Sequence, residues 1–107
     1  MAKTDSLRGT LDLLVLKVLL RGRPLTGYAI NQALVMETKQ KLRVRNSSLY
    51  PALKKMRKAG WISARRADDR RRSMLWKITK KGTSQFGRMK VDWLAFRSAV
   101  DLFLRRR

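Results

Sequence analysis

The side chains best equipped for chemistry in this chain are hydroxyls and ammonium groups crowded into one short stretch, NSSLYPALKKMRKAGW, residues 46–61. Set on a helix at about 100° per residue, Leu49, Leu53 and Met56 share one side. Ser47, Pro51, Lys54 and Lys58 take the opposite side, with Ser48 and Lys55 on one flank and Tyr50 and Arg57 on the other. Hydroxyls donate and accept hydrogen bonds, whereas ammonium groups only donate. Such a face suits phosphates and the edges of bases better than it suits bond-breaking. The small hydroxyls Ser47 and Ser48 and the cations Lys54, Lys55 and Lys58 are therefore candidate contacts to DNA, since a helix that enters the major groove reads bases from its N-terminal half. A solvated charged face on an ordinary amphipathic helix is the bland alternative. Against it, residues 38–67 hold ten Lys and Arg and no acid, so these cations are expected to have no local partners.

Other chemistries are poorly supplied. There is no Cys, hence no disulfide, thiolate nucleophile or sulfur-ligated metal. There is no His, the usual general base and commonest metal ligand. Seven carboxylates are scattered, and no glycine-rich phosphate loop occurs. Adjacent Asp68 and Asp69 precede three arginines and read as turn residues, not as a metal pair. No catalytic residue, metal site or cofactor is expected, and the chain is not read as an enzyme. With 27 Lys and Arg against 7 Asp and Glu, the net charge of +20 attracts polyanions. Duplex DNA fits best. A basic RNA- or ribosome-associated protein is the alternative, but single-strand binders display aromatic platforms on a sheet. Without an apolar run of about 18 residues or a signal-peptide core, no membrane role and a cytoplasmic location are expected.

The elements that position these groups can be read in order. At 107 residues with 44% hydrophobic content, the chain is one small domain. Residues 7–20, LRGTLDLLVLKVLL, are apolar nearly all round and predict a buried helix starting near Gly9 or Thr10. The RGRP segment ends it, because proline disfavours helix in the residue before it. Thr26 caps a second helix from Gly27 to about Lys39, with Tyr28, Ile30, Ala33 and Leu34 inward and Asn31, Gln32 and Glu37 outward. Gly27 would permit close packing there. A basic connector, residues 39–45, leads into the third helix, at about 47–59, which Ser47 and Ser48 can cap if Pro51 lies in its first turn. Gly60 ends it in the left-handed conformation. Two helices so joined form a helix-turn-helix. The period then changes: WISARRA and MLWKIT alternate as strands, giving a hairpin with Arg70, Arg71 and Arg72 at or beside its tip. A hairpin after a helix-turn-helix is a wing, here residues 68–73, placed to reach the phosphate backbone or a minor groove. The expected fold is mainly α with a small β-hairpin: a winged helix-turn-helix at 7–79 and a long helix at 80–105, capped near Thr79. Along that helix Phe86, Met89, Trp93, Phe96, Val100 and Phe103 are spaced 3, 4, 3, 4, 3, a heptad seam suited to homodimerisation. Val91, Leu94 and Leu102 form a second apolar set.

RGTLDLLVLKVL, LTGYAI, SSLYPALKKMRKAGWI, the Arg-rich hairpin and ITKKG before the long helix together resemble the PadR family of bacterial transcriptional regulators. The likeness is to its small single-domain members and spans roughly residues 7–104. It implies a winged helix-turn-helix with a C-terminal dimerisation helix, and a repressor of nearby genes. In that family residues matching Ser48, Tyr50 and Lys54 approach DNA, and the wing contacts the backbone. Some members hold a small aromatic effector between protomers, which would place it near Trp93 and Phe96; packing across a dimer accounts for both rings more simply. The chain departs from the family pattern in Ser47, where glycine is frequent, in a wing shorter by about two residues, and in Leu75-Trp76, where two tyrosines are common.

Overall fold

A computed structural model describes residues 9–107 of the chain. Leu7 and Arg8, at the expected start of the first helix, lie outside the described residues. The elements run α1 (Thr10–Leu19), α2 (Gly27–Glu37), α3 (Asn46–Lys58), β1 (Ile62–Arg66), β2 (Met74–Ile78) and α4 (Lys80–Arg105). The core forms where the apolar stripes of the first three helices meet: Val15, Leu16 and Leu19 of α1, Ile30 of α2, and Leu49, Leu53 and Met56 of α3 are fully buried. Ile62 and Trp76 of the hairpin close it from one side. Mainly helical, with one two-stranded antiparallel sheet, this is the expected fold class.

The register Ile62↔Ile78, Ala64↔Trp76, Arg66↔Met74 puts the alternate apolar residues of both strands on one face. The sheet gains a short third member that the sequence did not suggest. Leu25 bridges Trp76, with Leu25 N–H donating to the Trp76 carbonyl at 2.9 Å and Trp76 N–H to the Leu25 carbonyl at 2.8 Å. The residues after α1 thus anchor the hairpin to the domain as well as ending a helix. It is Gly22, at φ 81°, whose N–H returns to the Leu19 carbonyl after the last turn of α1.

Helix boundaries follow local capping in two cases and depart from it in one. Thr26 Oγ1 accepts from Ala29 N–H at 3.1 Å, and Thr79 Oγ1 accepts from Gly82 N–H at 3.0 Å, as expected for N-caps. The start of α3 is different. Its N-cap is Arg45, without a side-chain cap, and Asn46, Ser47 and Ser48 already lie in the first turn. Pro51 is therefore one turn deeper than its chemistry favours. It cannot donate to the Ser47 carbonyl, which stands on an exposed residue where water can satisfy it. The other end of α3 is a Schellman motif: Gly60 at φ 85° donates to the Arg57 carbonyl, and Trp61 N–H to the Met56 carbonyl, both at 3.0 Å.

The segment from α3 to α4 is closed by a second lock. Thr79 N–H donates to the Trp61 carbonyl at 3.0 Å, while Thr79 Oγ1 donates to the Gly60 carbonyl at 2.6 Å. Both ends of the hairpin are so tied together beneath Gly82, which is buried at the third position of α4. In all, α4 runs 26 residues from Lys80, about 39 Å at 1.5 Å per residue. Its first half packs on α1 and the core through Phe86 and Met89. The longest dimension of the molecule, 58 Å, reflects how far α4 continues past the domain.

Candidate nucleic-acid interface

On α3 the division predicted from spacing is complete. Leu49, Leu53 and Met56 are fully buried, and Ser47, Ser48, Tyr50, Lys54, Lys55, Arg57 and Lys58 are all exposed. Because capping of α3 does not use the serines, their hydroxyls are left on the outer surface of its first turn. Lys54, Arg57 and Lys58 pair with no carboxylate among the described residues. Lys55 does: its Nζ lies 3.2 Å from Oδ2 of Asp12, reached across the α1–α3 contact. The expectation of no local partner holds for Lys55 too, but tertiary packing supplies it with a distant one. Burial pushes the Asp12 carboxyl above the ordinary carboxylate value, and the hydrogen bond and charge of Lys55 offset only part of that.

The structure adds a cleft of about 160 Å3, part polar and part apolar with Val35 in its lining, where α2 meets the start of α3. Tyr28, Asn31, Gln32, Arg43, Asn46 and Tyr50 line it, giving amide, phenol and guanidinium groups and no acid. Tyr28, expected to face inward, is 70% exposed, and its hydroxyl accepts from Gln32 Nε2 at 2.8 Å. Asn31, expected to face outward, instead holds the connector: its Nδ2 donates to the Val44 carbonyl at 2.5 Å and its Oδ1 accepts from Val44 N–H at 3.2 Å. That clamp fixes the approach to α3. Tyr50 leans over Gly27, where a Cβ would meet its hydroxyl at 2.9 Å. The glycine therefore does serve close approach, and this contact orients one of the candidate DNA-binding side chains. Sequence periodicity missed Tyr28, Gln32, Arg43 and Asn46. The basic connector was the one signal that pointed near them.

At the wing, Ala67 N–H donates to the Ser73 carbonyl at 2.7 Å, closing a loop whose end is the turn Asp69–Arg72, joined by Arg72 N–H to the Asp69 carbonyl at 3.2 Å. Arg70 and Arg71 occupy the two central positions of that turn, and Arg72 follows in the left-handed region at φ 49°. Arg66 donates to the Arg72 carbonyl at 3.0 Å and so supports the turn. All three tip arginines are exposed. Asp69 begins that turn, its carbonyl accepting from Arg72 N–H, and the described residues contain no group of three or more ligand side chains that could hold a metal ion. No described helix is long and apolar enough to cross a membrane.

The seam on α4 divides. Phe86 and Met89 pack on their own domain's core, and half-buried Trp93 donates its indole N–H to Thr10 Oγ1 of the same chain at 3.2 Å. Phe96 is half-buried, whereas Val100 and Phe103 are exposed, with Leu104 beside them. Val91, Leu94 and Leu102 are exposed on the other side of the helix.

Residues 15–88 match the Transcriptional regulator PadR-like family. The chain is similar in structure to a transcriptional regulator from Clostridium thermocellum, with a TM-score of 0.86 at 22% identity, over 95% of this chain and 100% of that one. It is similar to a PadR-like transcriptional regulator from Bacillus cereus, with a TM-score of 0.73 at 23% identity, over 97% and 100%. It is also similar to Bacillus subtilis PadR in complex with operator DNA, with a TM-score of 0.64 at 28% identity, over 78% of this chain and 45% of that longer one.

Proposed function

The chain belongs to the PadR-like family of transcriptional regulators, and from that membership we propose that it is a homodimeric, sequence-specific DNA-binding repressor. The family is one of regulators, not of enzymes. In this reading α3 enters the major groove with Ser47, Ser48, Tyr50, Lys54 and Lys58 toward the DNA. The wing lays Arg70, Arg71 and Arg72 on the backbone or in a minor groove. What carries the reading is the outer surface of α3: hydroxyls on its first turns, then Lys54, Arg57 and Lys58, which pair with no carboxylate among the described residues, over a fully buried apolar stripe. The Bacillus subtilis relative in its operator complex supports the same use of the fold.

Lys54→Ala separates base reading from charge. Loss of a good contact to a base edge costs about 1–3 kcal/mol, roughly five- to 160-fold in affinity. Affinity for a duplex from the region upstream of the gene should fall by that much, and affinity for random duplex far less. Gel shifts with both duplexes, and with RNA of equal length as competitor, make the measurement. Equal losses on both DNAs would put Lys54 on phosphate, and preferred binding of RNA would sink the reading.

Two copies associate, in this proposal, through the C-terminal half of α4. Phe96, Val100 and Phe103 continue the heptad seam beyond the point where Phe86 and Met89 are used by their own domain. The Trp93 indole is bonded to Thr10 of its own chain and so packs within its own domain. Because Val100 and Phe103 are exposed in the single chain, changing both to Asp should spare the domain and abolish dimers. Sedimentation would show a folded monomer; an unchanged dimer would refute this interface.

A further inference from the structure

Asp12 stands at the third position of α1, on the stripe that continues through Val15, Leu16 and Leu19 into the core. It is the buried charged residue among the described side chains, at 4% exposure. Its partner is the opposite: the Lys55 side chain is 67% exposed, and only its tip turns back to the carboxylate. A well-packed apolar residue in place of such a carboxylate is often neutral or stabilising. The first turn of a helix favours an acid, but it does so without burying it. The raised affinity of Asp12 for its proton shows that Lys55 does not fully offset the burial. Stability alone therefore gives no reason for this pair.

Its position does. Lys55 lies on the flank of α3 shared with Ser48, between the buried stripe and the outer surface. A tie from that flank to α1 resists rolling of α3 about its axis. On a helix of 10–12 Å diameter, a roll of about 20° moves the surface by about 2 Å, more than a hydrogen bond to a base edge tolerates. We propose that Asp12 is a positioning residue for DNA recognition: it holds Lys55 back from the phosphates and pins the roll of α3, so that Tyr50 and Lys54 meet the bases. This rests on the DNA-reading function proposed above.

The test uses fluorescence anisotropy over a salt series, with the upstream duplex and a random duplex of equal length. It compares the full-length wild-type chain, Asp12→Asn and Lys55→Gln, with thermal unfolding as a check on folding. In Asp12→Asn, Lys55 is released to the DNA. The salt slope on random duplex should steepen by about 0.9 per protomer, while preference for the upstream duplex falls by about tenfold. In Lys55→Gln the preference should fall similarly, yet the slope should keep its wild-type value, because the lysine neutralises no phosphate in the wild type. A merely structural role would lower the melting temperature and move neither quantity. A slope shallower by about 0.9 in Lys55→Gln would place that lysine on phosphate and overturn the inference, as would an unchanged preference in either variant. Lys55 is exposed, so its variant decides the question even if Asp12→Asn fails to fold. Wild-type protein that does not distinguish the duplexes overturns the proposed function as well; normal discrimination by wild type and both variants overturns the positioning role alone.

Discussion

Gly82→Ala is expected to cost about 3 kcal/mol of stability, near the upper end for overpacking a core. At this chain length that is a fall in melting temperature of about 15 °C. A Cβ at this position would lie 2.0 Å from the Trp61 carbonyl oxygen and 2.9 Å from Ile78 Cγ1. The first of these is backbone, so no rotamer change relieves it. The same carbonyl accepts from Thr79 N–H, and Thr79 in turn caps α4 through Gly82 N–H. Moving the strand entry away from the helix would break the lock that joins the hairpin to α4. Gly87 is the control, since a Cβ there meets nothing within 4 Å. Gly87→Ala should stabilise by up to about 1 kcal/mol through helix propensity. Thermal or urea unfolding at one fixed protomer concentration reads both variants, because any dimer makes the midpoint concentration-dependent. Equal midpoints for the two would show that the close approach at Gly82 is not a constraint on the fold.

Replacing Arg70, Arg71 and Arg72 together with Ala should reduce the steepness of the salt dependence by about one to two units per protomer. Each phosphate neutralised on duplex DNA contributes about −0.9 to the slope of log affinity against log salt. Fewer than three contacts are expected because the turn Asp69–Arg72 sets Arg70 and Arg71 at its central positions, while left-handed Arg72 starts the return. For a dimer the loss doubles, which makes this the largest expected change in binding. Affinity should fall alike on upstream and random duplex, since a phosphate carries no sequence. A run of A·T pairs beneath the wing would be the exception, as its narrow minor groove holds arginine more tightly. If the slope is unchanged after all three are removed, the wing serves solubility, and recognition is confined to α3 and the connector before it.

The amphipathic division of α3, the threonine caps of α2 and α4, and the alternation of both strands were all legible in the sequence. Each depends on residues within a turn or two of one another, and such local spacing decides which side of an element is apolar before any partner is known. The same local reading separated Leu49, Leu53 and Met56 from the hydroxyls and cations of the candidate interface. The inward placing of Tyr28 misreads the spacing itself, which sets it about 200° round the helix from Ile30; it is exposed beside the cleft and bonded to its i+4 neighbour Gln32. Local reading could not find what tertiary packing decides. Asn31 looked like a surface amide until the connector returned its Val44 backbone to it. Asp12 and Lys55 are 43 positions apart, and nothing local to either specifies their pairing. The seam of α4 looks uniform along its length, but the domain is shorter than the helix. Where α1 ends its cover, the same heptad passes from the chain's own core to an exposed surface. Periodicity fixes the direction a side chain takes from its element; only the meeting of distant elements decides what it finds there.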